Sequence, residues 1–563
     1  MKRSAYVSLF GLIALGIGCT KRDAPSSAVP EASPPQVETT EESRPNFLIV
    51  MVDDMGYTDV GAFGGEIETP NVDSLAVAGV RLSDFHTSAS CSPSRSMLLS
   101  GADNHRAGLG TMAELLSDAQ RGQPGYEGYL NERVASMAEV LRAGGYRSYM
   151  AGKWHLGHED GQLPSDRGFD RSLVLVDGGA SHFADMAGAI PADHPATYAR
   201  DGERLSELPG DFYSSRSYAD FLIDAIRAGR AESERPFLAY LAFTAPHDPL
   251  HVPEPWLSRY RGRYDGGYEE LKAARAAGAA AAGLVPTGAP VRPMLDATPR
   301  WSALNADERA YQSRLMEVYA GMVSNLDYHL GRVLAYLRDV GEYENTIILF
   351  LSDNGPNAGR LEEYPGNADG VFLSQFDQSV ENVGNPGSAH AYGSGWAQAS
   401  AGPFAHFKMT IGEGGIRAPF IAVGPGIAPG RTSGAFATIM DVVPTLLEAA
   451  GVQHPDNIDG RRVLPMDGRS MLGLLVGREE RVHPDAAYVA GEMGGGMYVR
   501  QGRYKAALLA RPHGNGTWAL YDLSADPGET TDLATREPER LEAMKQAFAD
   551  YAERVGLVSA SGQ

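Results

Sequence analysis

Two pairs of hard oxygen donors stand out in the chain, Asp53-Asp54 and Asp353-Asn354, each directly after an apolar run. Either pair alone reads as a turn, because Asp and Asn favour turns. Both, however, follow long strand-like stretches, NFLIVMV (46–52) and TIILFLS (346–352). A third such stretch, PFLAYLAF (236–243), runs into Thr244-Ala245-Pro246-His247. Open α/β sheets bind ligands outside the carboxyl ends of their strands, so a wound sheet would gather these groups on one edge. Three carboxylates and an amide oxygen brought together cannot all keep their charge without a cation. Their oxygens suit Ca²⁺ or Mg²⁺ rather than zinc.

Basic groups accompany them. Lys153 and His155 lie two apart in YMAGKWHLG, and on an extended segment that spacing points both side chains the same way. His247 sits in APHDPLH, where prolines restrict the backbone, and Lys408 in HFKMTIGEGGIRAPF, just before another strand. With Arg95 they supply the local positive charge that an anion pocket requires. Cys91 opens CSPSRSMLLSG (91–101). At the start of a helix it would lie near the positive dipole end and free N–H groups. A thiolate nucleophile activated by Arg95 fits there. Filler and precursor remain open on these residues alone.

The elements that must position these groups alternate strand and helix from Pro45 onward, which predicts an α/β sandwich around a large mixed, mostly parallel sheet. APFIAV (418–423) is a fourth strand, and residues 313–341 form a long amphipathic helix ending at Gly341. An Ala-rich helix covers 270–283, and residues 355–400 read as a long loop over a site. Near residue 480 the pattern changes. MYVRQ (497–501), YKAALLA (504–510) and WALYDL (518–523) predict a small antiparallel sheet, followed by a helix from about Glu537 to Arg554. The expected organisation is a catalytic domain over 45–480 and a smaller α+β domain over 481–563.

Composition narrows the partners. The 563 residues are 43% hydrophobic and carry a formal charge of -22, which disfavours nucleic acid and anionic membrane surfaces. A small anion remains admissible, since charges beyond a Debye length of about 8 Å are screened. Residues 1–18 read as a signal peptide: a basic Met1-Lys2-Arg3 precedes an apolar stretch too short to span a bilayer. Cys19 follows it directly and resembles the lipidated cysteine of bacterial lipoproteins, although Gly16 departs from the usual leucine. Residues 19–44 then form a Pro/Ala/Ser/Thr/Glu-rich tether. The expected location is the periplasm, anchored to the outer membrane through Cys19.

CSPSR, extended by MLLSG, resembles the signature of type I sulfatases, with Ser100 a mild departure. DDMGYTDVGAFGGEIETPNVDSLA, AGKWHLG, APHDPLHVP, FLSDNG, YGSGWAQASAGPFAHFK and KMTIGEGGIRAP resemble further segments of that family, most of all its arylsulfatase branch. LYDLSADPGETTDLA resembles its closing segment. The resemblance runs from about Pro45 to Val555 and implies an alkaline phosphatase-like fold. It implies that a maturation enzyme converts Cys91 to formylglycine, that Arg95 holds it, and that Asp53, Asp54, Asp353 and Asn354, with residue 91, ligate Ca²⁺ rather than Mg²⁺. It also implies that Lys153 and Lys408 bind sulfate and that His155 and His247 move protons. In that chemistry one hydroxyl of the hydrated aldehyde attacks sulfur, with Asp353 aiding it and His247 and Lys408 neutralising the leaving oxygen. The second hydroxyl, deprotonated by His155, expels sulfate. The substrate is then a small-molecule sulfate ester. Phosphomonoesters, phosphodiesters or phosphonates are the alternative, and an inactive tethered binding protein is the more distant one.

Overall fold

The apolar run after Asn46 lies at the heart of a ten-stranded sheet, because helices cover that sheet on both faces. The computed structural model describes residues 44–560; the signal segment, Cys19 and the tether up to Ser43 lie outside them. The sheet contains β1 (Asn46–Val52), β2 (Val80–Leu82), β3 (Arg147–Lys153), β4 (Arg171–Leu175), β5 (Tyr198–Arg200) and β6 (Glu203–Leu205). β7 (Phe237–Ala242), β8 (Thr346–Ser352), β9 (Phe420–Val423) and β10 (Arg431–Ser433) complete it, in the order β10-β2-β9-β8-β1-β7-β3-β4-β5-β6.

The central strands β8, β1, β7, β3 and β4 are mutually parallel, whereas β9, β5 and β6 join antiparallel. Register sets the site. Val52 pairs with Ser352, Met51 with Ala242, and Gly152 also with Ala242. The next residues of four neighbouring strands therefore emerge on one edge: Asp53, Asp353, the Thr244–His247 turn and Lys153.

Alternation along β1 explains its unbroken apolar sequence. Leu48, Val50 and Val52 face one core with helices α1 (Pro70–Ala78), α4 (Ser214–Glu232) and α6 (Ala306–Asp339). Phe47, Ile49 and Met51 face the other, with α2 (Cys91–Ser100), α3 (Met137–Ala143) and α8 (Val442–Ala450). Both faces being dry, neither needs polar residues. The Ala-rich helix is α5 (Tyr268–Ala281).

Three expectations change. Helix α6 starts well before residue 313, because Asn305 and Glu308 form a capping box ahead of an exposed polar turn. The expected 355–400 loop ends in a helix, α7 (Gly393–Ser400), which buries Trp396. The C-terminal sheet has four strands rather than three: β11 (Tyr488–Met493), β12 (Gly496–Gln501), β13 (Tyr504–Leu508) and β14 (Trp518–Asp522). Helix α9 (Pro538–Val555) packs Met544, Phe548 and Tyr551 against Val499, Ala506 and Leu520 of that sheet. The sheet and its helix dock on the larger body through buried polar contacts. The Tyr551 hydroxyl donates to Asp103 (3.0 Å), and the Lys505 ammonium donates to the Ile411 carbonyl (2.7 Å). Among the described residues no helix is long and apolar enough to cross a membrane.

Candidate active site

All ten residues singled out from the sequence are buried, none more than 6% exposed, and the strand edge brings them together. Asp53 and Asp54 follow β1, and the Asp54 amide donates to Asp353 Oδ1 at 3.2 Å. Asn354 donates its side-chain amide to Asp54 Oδ1 (2.6 Å) and to the Gly355 carbonyl (2.8 Å). Its Oδ1 is buried with no partner.

The cations sit directly on these acids. Lys153 Nζ lies 2.7 Å from Asp53 Oδ2, and Lys408 Nζ 2.8 Å from Asp54 Oδ2. Arg95 donates Nε (3.0 Å) and Nη2 (2.8 Å) to Asp353 Oδ2 and Nη1 to the Lys153 carbonyl (3.1 Å). Burial opposes both ammonium charges, but Asp53 raises the proton affinity of Lys153, and Asp54 that of Lys408. Burial also opposes the Asp53 charge, yet Lys153 above all holds that carboxyl well below the usual range. Asp353 goes the other way: burial and the nearby Asp53 push it up to about 6 even with Arg95 upon it. Positive charge is short at this end of the cluster.

Cys91 is the first residue of α2, a helix buried along its whole length and closed by Gly101 at φ 66°. Its thiol donates to Asp53 Oδ1 (3.3 Å) and Asp54 Oδ1 (3.6 Å). The expectation that Arg95 would activate a thiolate fails, since the guanidinium is engaged by Asp353. Burial and then Asp53 push the thiol well above its ordinary range. Ser100, the mild departure in the motif, turns its hydroxyl onto the Ser96 carbonyl (2.6 Å) and accepts from the Ala102 amide (3.1 Å).

The histidines flank the cysteine. His247 Nε2 lies 3.4 Å from Asp54 Oδ2, while its Nδ1 donates to the Asp248 carbonyl (2.6 Å). That bond places the proton on Nδ1 and leaves Nε2 facing the site. His155 is aimed differently from the expected alternation. Strand β3 ends at Lys153, and His155 itself turns into a left-handed conformation at φ 55°. Its Nε2 meets Glu114 at 3.3 Å. Burial holds its imidazole below the usual histidine range despite that carboxylate, so the ring is neutral near pH 7.

Glu114 and Asp248 are contacts that sequence reasoning missed. Glu114 comes from a single turn of 3-10 helix, Ala113–Leu115, too short to show a pattern. Asp248 lies in the quoted APHDPLH but was not singled out; its carboxylate accepts from the Tyr364 hydroxyl (2.6 Å) and from Asn357 (3.1 Å). These two come from the 355–400 segment, which thereby braces the His247 turn.

Cys91, His155, His247 and Lys408 open into a cavity of about 1050 Å³. Its walls come from residues 357–365, within the 355–400 segment expected to lie over a site, and also from 178–193, from 295–299 and from Pro512 and His513. A second buried acidic group, Asp84 and Glu413 with His86, is already met by Arg417, Arg500 and Lys505. Those ion pairs make it part of the scaffold.

The chain that assembles this cluster matches known families along most of its length. Residues 45–452 match the family described as Sulfatase. The chain belongs to the sulfatase family. Residues 404–552 also match the family described as N-sulphoglucosamine sulphohydrolase, C-terminal. The sulfatase chain is 43% identical over 534 residues to an uncharacterized sulfatase of Schizosaccharomyces pombe, covering 92% of this chain and 95% of that one. It is 42% identical over 438 residues to an arylsulfatase of Klebsiella aerogenes, covering 77% and 92%. A solved sulfatase from Pseudoalteromonas sp. shares the fold at a TM-score of 0.60 and 21% identity, over 91% of this chain and 90% of that one. This sulfatase is accordingly a sulfuric ester hydrolase.

Proposed function

We propose that this sulfatase cleaves the sulfate monoester of a phenol or alcohol with Cys91 converted to formylglycine and with Ca²⁺ held by the strand-end acids. The observation that carries the reading is the oxygen set itself. Carboxylate oxygens of Asp53 and Asp54 lie within 4.8 Å of each other and of the Cys91 sulfur and a His247 nitrogen. Asp353 joins them through the Asp54 amide and Asn354 through Asp54 Oδ1, and Asn354 Oδ1 is a buried acceptor with no partner among the described residues. An all-oxygen set with an orphaned carbonyl oxygen suits a hard dication.

Position 91 fits the modification for the same reason. A thiol wedged between two carboxylates stays protonated, because burial and Asp53 outweigh the pull of Lys153 and Lys408, whereas an oxygen-bearing side chain would complete the oxygen set. Formylglycine supplies geminal hydroxyls in place of a thiol, and Ca²⁺ supplies positive charge for the sulfuryl oxygens.

The remaining work falls to side chains in place. Lys153 and Lys408 bind the sulfate oxygens, leaving the carboxylates to the dication. Arg95, doubly bonded to Asp353, fixes that carboxylate where it takes a proton from position 91. His247 keeps its Nδ1 proton on the Asp248 carbonyl and presents Nε2 on the cavity side. As the imidazolium, with a second proton on Nε2 facing Asp54, it is the acid that protonates the departing oxygen and is left neutral. His155, kept neutral by burial, accepts a proton during release of sulfate. The cavity holds the alcohol portion and excludes bulk water.

The exported lipoprotein reading and the maturation enzyme belong to this proposal as well. Mass spectrometry of the tryptic peptide Leu82–Arg95 tests the central claim. The expected product has CHO in place of CH₂SH at position 91; a free thiol in fully active protein would sink it. Parallel assays with 4-nitrophenyl sulfate and 4-nitrophenyl phosphate test the substrate class, and a higher kcat/KM for the phosphate would reverse it.

A further inference from the structure

The cavity is far larger than a sulfate group, so its walls must also select the alcohol that sulfate leaves. Away from the reacting end the walls are largely apolar, with Ile190, Leu295, Phe407 and the ring of Tyr364 contributing. Such walls take up an aromatic or alkyl body by burial.

Their charges are one-sided. Apart from Lys408 at the reacting end, Arg360 is the only lysine or arginine of the lining, and it is exposed and shared with Glu363 at 3.4 Å. Asp193 and Asp296 also line the cavity, and among the described residues neither takes part in an ion pair. Burial, then Asp177 and Glu114, push the Asp193 carboxyl up to about 7, the behaviour of an acid with too little positive charge nearby. A second anionic group on a bound ester would lie within a Debye length of these carboxylates and find no unshared cation to meet it.

Resting on the sulfatase reading above, we infer that the cavity selects by charge. It accepts a single sulfate on a compact aromatic or alkyl body whose far end is neutral or cationic, and it rejects esters bearing a second sulfate or a carboxylate.

The test uses the matured enzyme with Ca²⁺ at about pH 8, above the value of about 7 to which Asp193 is pushed, so that its carboxylate is charged. The substrates are three phenyl sulfates with para substituents 2-ammonioethyl, ethyl and 2-carboxylatoethyl. The two-carbon spacer keeps the leaving phenols nearly equal in acidity, so kcat/KM reports the charge at the far end. The expected order is cationic, neutral, anionic, with about a tenfold span at low salt that shrinks as salt is added. Asp193→Asn and Asp296→Asn should each narrow the span, and a disulfated monosaccharide should be a poorer substrate than any of the three. A flat or reversed order, or a preference for the disulfated sugar, overturns the inference while turnover of 4-nitrophenyl sulfate leaves the sulfatase reading standing. No turnover of any sulfate ester would bring down both.

Discussion

Replacing Lys153 by methionine separates the two tasks given to this lysine, because it removes the charge and keeps the length. In the structure Lys153 is fully buried with its ammonium 2.7 Å from Asp53 Oδ2. The next nearest cation to Asp53 is the Arg95 guanidinium at 3.5 Å, already engaged by Asp353. Lys153→Met therefore strands a buried carboxylate, which costs about 3–5 kcal/mol of unfolding free energy. If Asp53 is a Ca²⁺ ligand, the ion restores part of that loss. At a hundredfold excess over Kd, binding adds about 2.7 kcal/mol to either protein. The variant, with no ammonium competing for Asp53, binds Ca²⁺ more tightly and gains more. Urea unfolding of both proteins in chelator and in saturating Ca²⁺ measures this directly. The gap should be about 3–5 kcal/mol in chelator and narrow by about 1 kcal/mol or more with Ca²⁺. The Ca²⁺-loaded variant should still lose about 10²–10³-fold in kcat on 4-nitrophenyl sulfate, since a charge facing the sulfuryl oxygens is gone. An equal gap in both buffers would refute Asp53 as a ligand. Full activity in Ca²⁺ would refute Lys153 as a sulfate contact.

Cys91→Ala removes a buried thiol and leaves no stranded charge, so calorimetry should find a loss under about 2 kcal/mol while turnover vanishes. An active Cys91→Ala protein would end the role assigned to position 91. Because burial lowers the His155 proton affinity, the acidic limb of kcat/KM should lie below the ordinary histidine value of 6.5. A limb above that value, assigned by its loss in His155→Asn, contradicts the account. Stability should also fall as pH drops from 6.5 toward about 3, the value to which burial brings His182, His329 and His406. The sign follows from each unfolded imidazole gaining a proton that its folded counterpart refuses. Each group contributes up to about 1.4 kcal/mol per pH unit, and equal urea midpoints at pH 7 and pH 5 would contradict this.

What the sequence made legible follows from burial. β1, β7 and β8 are covered on both faces, so they stand out as continuous apolar runs, and the polar residues ending them are conspicuous by contrast. The short strands β4, β5 and β6 lie toward one edge of the sheet and carry exposed Arg171, Arg200 and Glu203, so no run marks them. β11 was missed for a similar reason: YVAGEM mixes half-buried residues and a glycine, and its pairing with β12 supplies what its own pattern lacks. Helix α7, with GSGWAQAS, has weak intrinsic propensity and is held by Trp396, whose indole nitrogen donates to the Gln312 carbonyl (2.9 Å). The site residues on strand ends were readable, whereas Glu114 and Asp193 reach the cavity from single turns of 3-10 helix, Ala113–Leu115 and Pro191–Asp193, too short to leave a periodic pattern in the sequence.

A chain of charge -22 that acts on an anion raises an electrostatic question that the site answers locally. Most of that charge lies beyond a Debye length from the reacting end and is screened there. Within the site, Lys153, Lys408 and Arg95 meet Asp53, Asp54 and Asp353 charge for charge. Such a balanced cluster exerts little pull on a sulfate ester. The proposed dication on the carboxylates would make the cluster positive and leave the charge of the two lysines free for the ester. On that proposal the acids are what allow a buried site to be strongly cationic, since with no acids the packed cations would repel one another and the lysines would lose their protons. The same reasoning assigns opposite tasks to acids a few residues apart in space. Those on the strand ends would concentrate positive charge for one sulfate, and those on the cavity wall would deny a place to a second.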